Sequence, residues 1–138
     1  MNNKFVLLVE DNEDDVTLTE MAFKKGRIPG KLVVVVDGQE ALDFLFAHGK
    51  YADKSPNEKP ALVLLDLKLP LISGLEVLKA LRADKNTSQI PVVVLTSSLE
   101  EKDQTDSFRL GANDFIRKPT GYAHFIEVIQ QVKVKWLS

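Results

Sequence analysis

Three acids, a hydroxyl and a lysine each stand just beyond a short apolar run in this sequence. Glu10 and Asp11 follow Phe5–Val9, Asp66 follows Ala61–Leu65, Thr96 follows Val92–Leu95, and Lys118 follows Phe115-Ile116 by one residue. If those runs are neighbouring parallel strands, all five groups meet at one edge of a sheet, where ligands of open α/β sheets are held. Three carboxylates in one place repel: at an effective dielectric near 20, two unit charges about 4 Å apart cost about 4 kcal/mol. Such a cluster needs a cation. The chain has no cysteine, and its two histidines, His48 and His124, stand far from these motifs, so an oxygen-only site is implied. Hard oxygen ligands suit Mg²⁺, Mn²⁺ or Ca²⁺, and Mg²⁺ most readily combines one or two carboxylates with phosphate oxygens and water. Lys118 is a point-charge phosphate binder and Thr96 a hydroxyl donor. The set matches phosphoryl capture by the Asp66 carboxylate, a form of nucleophilic catalysis.

Taken singly, each group has an ordinary structural reading. Glu10-Asp11 could be a solvated turn, Asp66 a helix cap, Thr96 the start of a turn and Lys118-Pro119 a strand exit. Their weight comes from order: each appears at the same end of successive apolar runs.

Those runs must be strands for the chemistry to assemble. Apolar segments occur at Phe5–Val9, Leu32–Val36, Ala61–Leu65, Val92–Leu95 and, weakly, Phe115–Ile116. Continuous runs of this length read as strands buried on both faces. Helix-like stretches at about 14–25, 38–47, 74–83, 99–110 and 122–136 separate them, and the alternation points to βαβ units with helices on both faces. Asp37 with Glu40, Ser73 with Glu76, and Ser98 with Glu101 have capping-box spacing. Gly26 and Gly111 stand where helices should end in the left-handed conformation. Leu75, Leu78 and Leu81 should face the sheet. Residues 48–60 are polar and rich in turn formers, and read as a surface loop.

Bulk properties narrow the function classes. The 138 residues suffice for one domain, 1–138, with 44% apolar and 28% charged residues. A net charge of −2 and a pI near 5.7 argue against a nucleic-acid partner. No apolar stretch is long enough to span a bilayer and no signal peptide precedes the first strand, so no membrane association and a cytoplasmic location are expected.

With these residues on the page, the sequence resembles the receiver domain of bacterial two-component response regulators. The resemblance rests on Glu10-Asp11, Leu-Leu-Asp66-Leu-Lys-Leu-Pro, Gly74, Val-Leu-Thr96 and Phe115-Ile-Arg-Lys118-Pro119, and covers about residues 4–136. It implies a flavodoxin-like α/β fold, a doubly wound five-stranded parallel sheet of order 2-1-3-4-5 with five helices. It implies that Asp66 accepts phosphate from a sensor histidine kinase and that the chain is a phosphoacceptor rather than an enzyme. It implies Mg²⁺, with Mn²⁺ as a substitute, on Glu10, Asp11, Asp66 and the backbone carbonyl of Lys68. Thr96 and Lys118 would bind phosphoryl oxygens, Thr96 and Phe115 would form the switch, and the peptide bond before Pro119 would be cis. No sequence is left over for an output domain, so a stand-alone receiver is expected, signalling through the surface of its fourth helix, fifth strand and fifth helix, with a role as phosphorelay intermediate as the alternative. The opening Leu-Leu-Val-Glu-Asp-Asn-Glu-Asp-Asp, the loop with Gly-Lys-Tyr and the terminal Lys-Trp-Leu look similar to receivers of the phytochrome response-regulator type, which would imply a phytochrome-like kinase.

Other readings are weaker on the residues. A flavodoxin-like electron carrier would want a hydroxyl- or glycine-rich phosphate loop after the first strand, where this chain has two acids. A Mg²⁺-dependent aspartyl-phosphate phosphatase would want a second acid soon after Asp66, and residues 67–72 contain none. Along the last helix, Phe125, Val128, Ile129, Val132 and Trp136 form one apolar stripe, with Ile126, Val134 and Leu137 partly off it, so a homodimer through the fourth and fifth helices is an open expectation. The acids Glu100, Glu101, Asp103 and Asp106 read as a solvated helix face.

Overall fold

The run Leu62–Leu65 is buried at every position, which suits a strand covered by helices on both sides. It is β3 of a computed structural model that describes residues 5–28, 30–55 and 58–137. Among the described residues the elements run β1 (Phe5–Val9), α1 (Glu13–Lys25), β2 (Lys31–Val35), α2 (Gly38–Phe46), a single 3-10 turn (Gly49–Tyr51), β3, α3 (Gly74–Ala83), β4 (Val92–Thr96), α4 (Glu101–Arg109), β5 (Asp114–Arg117) and α5 (Tyr122–Trp136). The strands form one parallel sheet in the order β2-β1-β3-β4-β5. This is the doubly wound, flavodoxin-like arrangement expected from the sequence.

Alternation along β1 divides the core in two. Val6 and Leu8 point to the layer of α1 and α5, packing with Ala22, Phe23, Phe125 and Ile129. Leu7 and Val9 point to the layer of α2 and α3, packing with Ala41, Phe44, Val77, Leu78 and Leu81. Leu78 and Leu81 are fully buried as their spacing requires, while Leu75 is only half-buried and Val77 takes its place in the core. Ile126, expected off the α5 stripe, is buried in the first core, and Val134 is exposed.

Helix starts agree with two of the three expected caps. Asp37 accepts from Glu40 N at 2.7 Å and Ser73 from Glu76 N at 3.3 Å. Ser98 does not cap α4. The helix begins after Glu100, and the Ser98 hydroxyl instead accepts from Glu100 N at 3.2 Å and donates to Asp103 at 2.5 Å. Asp103 is therefore tied to the loop rather than solvated, and Asp106 pairs with Lys102 and Arg109. Gly111 takes a left-handed φ of 107°, but Gly26 is right-handed at −82° and the left-handed residue is Arg27. A bond from Ile28 N to Phe23 O closes that helix end one position later.

Of the expected loop 48–60, residues 48–54 fold back on α2, and residues 56–57 lie outside the described residues. Tyr51 donates to Glu40 Oε2 at 2.8 Å, Lys50 pairs with the same oxygen, and the Tyr51 ring meets Phe44 edge-on. His48 and His124 are exposed.

Candidate functional site

Glu10, Asp66 and Lys118 each sit one step beyond the last rung of a strand ladder, Thr96 is on the last rung of β4, and the backbone bonding continues past the ladder. Glu10 N donates to Val35 O, Asp66 N to Val9 O and Lys118 N to Thr96 O, at 3.0, 3.1 and 2.8 Å. These bonds fix where the side chains leave the sheet. The loop after Asp66 then turns tightly: Gly74 N donates to Leu67 O, and a Cβ at Gly74 would lie 2.3 Å from Asp66 O. Only glycine permits that approach.

Ligand oxygens of Glu10, Asp11 and Asp66 lie within 4.8 Å of one another. Glu10 and Asp66 are 2% and 5% exposed, whereas Asp11 is open to solvent. The Lys118 ammonium enters this cluster, 2.7 Å from Glu10 Oε1, 2.7 Å from Asp15 Oδ2 and 3.0 Å from Asp66 Oδ2. Its three donors thus meet three carboxylates. Beside them opens a cleft of about 530 Å³ lined by residues 11–15, Asp66, Lys68, Ser97 and Lys118.

Electrostatics follow from that packing. Burial pushes the Glu10 carboxyl up to about 7, the charge of Asp66 adds to this, and hydrogen bonds from Lys118 and Asn12 N oppose it. Burial lowers the Lys118 pKa, but hydrogen bonds to Asp15 and Glu10 and the charge of Asp66 outweigh it and hold the ammonium above its usual range. The carboxylate oxygens are hard donors, open on the Asp11 side, and fit Mg²⁺ or Mn²⁺.

Of the residues singled out from the sequence, Glu10, Asp11, Asp66 and Lys118 come together. Lys68 is exposed at the cleft, and its N–H donates to Asp66 Oδ1 at 3.3 Å. Thr96 is fully buried beside the site, and its hydroxyl oxygen accepts from Ser98 N at 3.3 Å. Phe115 is half-buried, with the Arg117 guanidinium 5.8 Å from its ring centre. Arg117 also donates to Ser98 O at 3.2 Å, which ties β5 to the loop after β4.

One expectation is corrected. No peptide bond among the described residues is cis, so the bond before Pro119 is trans. The trans form is intrinsically favoured by about 0.5–1 kcal/mol even before proline, and Lys118 already reaches all three carboxylates with it. Asp15 is the residue that sequence reading missed. It lies in the first turn of α1 and looks in sequence like one more of the acids that start that helix.

The chain matches the family described as "Response regulator receiver domain" over residues 6–130. It is 37% identical over 135 residues to the response regulator Rcp1 of Synechocystis sp., covering 98% of this chain and 90% of that one. Among solved structures it is similar to the phosphorylated cyanobacterial phytochrome response regulator RcpA, at TM-score 0.91 and 37% identity over 99% of this chain and 96% of that one. It is also similar to the Mn²⁺-bound form of response regulator Rcp1, at TM-score 0.90 and 35% identity over 98% and 95% of the two chains. The sheet order, the acids at its edge and this near full-length similarity agree, and the chain belongs to the response regulator receiver family.

Proposed function

We propose that Asp66 is the phosphoacceptor of this receiver and that its donor is the phosphohistidine of a sensor histidine kinase. The observation that carries this reading is the Lys118 ammonium held 3.0 Å from Asp66 Oδ2 beside the Glu10–Asp11 pair. A carboxylate oxygen of Asp66 forms the new O–P bond as the N–P bond of the donor breaks, and the donor imidazole leaves neutral, its other nitrogen carrying the proton. Glu10, Asp11, Asp66 and the Lys68 carbonyl would hold Mg²⁺, or Mn²⁺ in its place, which supplies charge neutralisation at the phosphoryl oxygens. Lys118 binds and orients the same oxygens from the β5 side, and Thr96 donates to them when its hydroxyl turns from the Ser98 loop.

Phosphorylation adds about −1.5 to −2 charge. Movement of Thr96 toward it would open space for Phe115, releasing the Arg117 contacts and altering the α4–β5–α5 surface. The similarity to RcpA, named as a cyanobacterial phytochrome response regulator, supports a phytochrome-like sensor kinase as the donor. Phe108 on α4 and Val134 on α5 expose apolar surface, which suits a homodimer through those helices; a dilution series by light scattering tests it.

The deciding experiment is incubation with acetyl phosphate or phosphoramidate and Mg²⁺. A stoichiometric, slowly lost acyl phosphate that disappears in Asp66→Asn supports the reading. Continuous release of inorganic phosphate would replace it with a phosphatase, and full labelling of Asp66→Asn would move the acceptor elsewhere.

A further inference from the structure

Lys118 is bonded to three carboxylates, and two of them, Glu10 and Asp66, also belong to the cation-holding group. A divalent cation there wants the same oxygens and repels the ammonium. Two cations drawn to the same partly buried oxygens oppose each other more strongly than they would in open water. Lys118 must therefore give up Glu10 when the cation enters. Of its three partners, only Asp15 stands outside the cation-holding group. It comes from α1, it is the least buried of the three at 23% side-chain exposure, and its bond to the ammonium is as short as that of Glu10.

We propose that Asp15 is a positioning residue: it is the berth that keeps the Lys118 ammonium paired and beside Asp66 while a divalent cation occupies Glu10, Asp11 and Asp66. Without it, both remaining carboxylate partners of the ammonium among the described residues belong to the cation-holding group, and the ammonium competes with the cation for Glu10 and Asp66. Asp15 thus makes lysine and cation compatible in one site. The assignment rests on the reading of that site as a cation-assisted phosphoacceptor. It concerns the side chain alone, since the helix contacts of Asp15 are made by its backbone: its N–H donates to Asn12 and its carbonyl accepts from the Thr19 hydroxyl.

The test is Mn²⁺ titration of the full chain, read as free Mn²⁺ by electron paramagnetic resonance, on a double-mutant cycle of Asp15→Asn and Lys118→Met. Asp15→Asn should weaken Mn²⁺ binding about tenfold, the scale of one charge-assisted hydrogen bond. In the Lys118→Met background the same change should cost about twofold or less, because the competing ammonium is gone. Equal weakening in both backgrounds would mean that Asp15 acts through its charge alone and would overturn the proposal, as would unchanged affinity in the single variant. Asp15→Ala and Lys118→Gln repeat the cycle should either first choice fold poorly by circular dichroism. If the wild-type chain takes up no Mn²⁺, the reading of the site fails first; if it does and the cycle shows no coupling, only the role of Asp15 fails.

Discussion

Lys118 Nζ lies 3.0 Å from Asp66 Oδ2, joining the end of β5 to the end of β3 across the intervening β4. In the absence of a metal, that ammonium is the countercharge for the buried acids. Removing it leaves Glu10 and Asp66 facing one another unpaired. Breaking a buried pair from one side costs about 3–5 kcal/mol, and the partial exposure of Asp15 puts this case at about 2–3 kcal/mol. Urea unfolding of Lys118→Met in chelator should show that loss, and Mg²⁺ should recover part of it. A variant as stable as wild type in chelator would mean the acids do not depend on Lys118.

Glu10 gives the site a pH dependence. Burial and the charge of Asp66 raise its carboxyl from the ordinary 4.5 to about 7. Between those values the folded chain holds a proton that the unfolded chain has lost, so the stability contributed by this group falls as pH rises through the window. In chelator, the melting temperature of wild type relative to Glu10→Gln should decrease from about pH 5 to about pH 7.5. The cation must displace the same proton, so Mg²⁺ affinity should fall as pH drops below about 7. Parallel melting curves for the two proteins across this range would refute the shift.

Gly74 is held against the loop that carries Asp66. A Cβ there would lie 2.3 Å from Asp66 O and 2.6 Å from Leu67 Cα, both backbone atoms that cannot swing aside. Gly74→Ala should cost about 2 kcal/mol through the forced backbone shift. It should also slow phosphorylation by acetyl phosphate, because the shift is passed directly to Asp66. Thermal denaturation and the labelling rate measure the two effects separately.

The half-buried Phe115 under Arg117 should govern output rather than chemistry. Burying a tyrosine hydroxyl without a partner costs about 1–3 kcal/mol, so the inward state should be less populated in Phe115→Tyr. That variant should accept phosphate at the wild-type rate while its binding to a downstream partner changes. Loss of phosphorylation would place Phe115 in the acceptor site instead.

Lys68 lines the mouth of the cleft two residues after Asp66, exposed to water. We propose that its side chain shields a phosphoryl group on Asp66 from attack. Lys68→Ala should shorten the phosphoaspartate lifetime by about threefold, within the range open to an exposed charge, with the labelling yield unchanged. An unaltered decay rate would assign the side chain to solvent alone.

Much of this molecule is written in short stretches of sequence. The apolar runs form the middle of the strands, and the acids follow them directly with the lysine one residue further on, so their meeting edge is legible once the sheet is parallel. Asp37 and Ser73 cap helices through residues three positions away. What sequence could not show depends on distances between elements. Asp15 looks like one more acid in the first turn of α1, and only the approach of β5 to α1 brings Lys118, 103 residues later, to 2.7 Å from it. Ser98 has cap spacing yet serves Glu100 and Asp103, because the loop after β4 is drawn toward Arg117. With the bond before Pro119 trans, Lys118 at the end of β5 reaches Asp66. Local spacing determines which residues reach the sheet edge; packing of the helices against it decides which partner each charge takes, because those distances exist only in the folded chain.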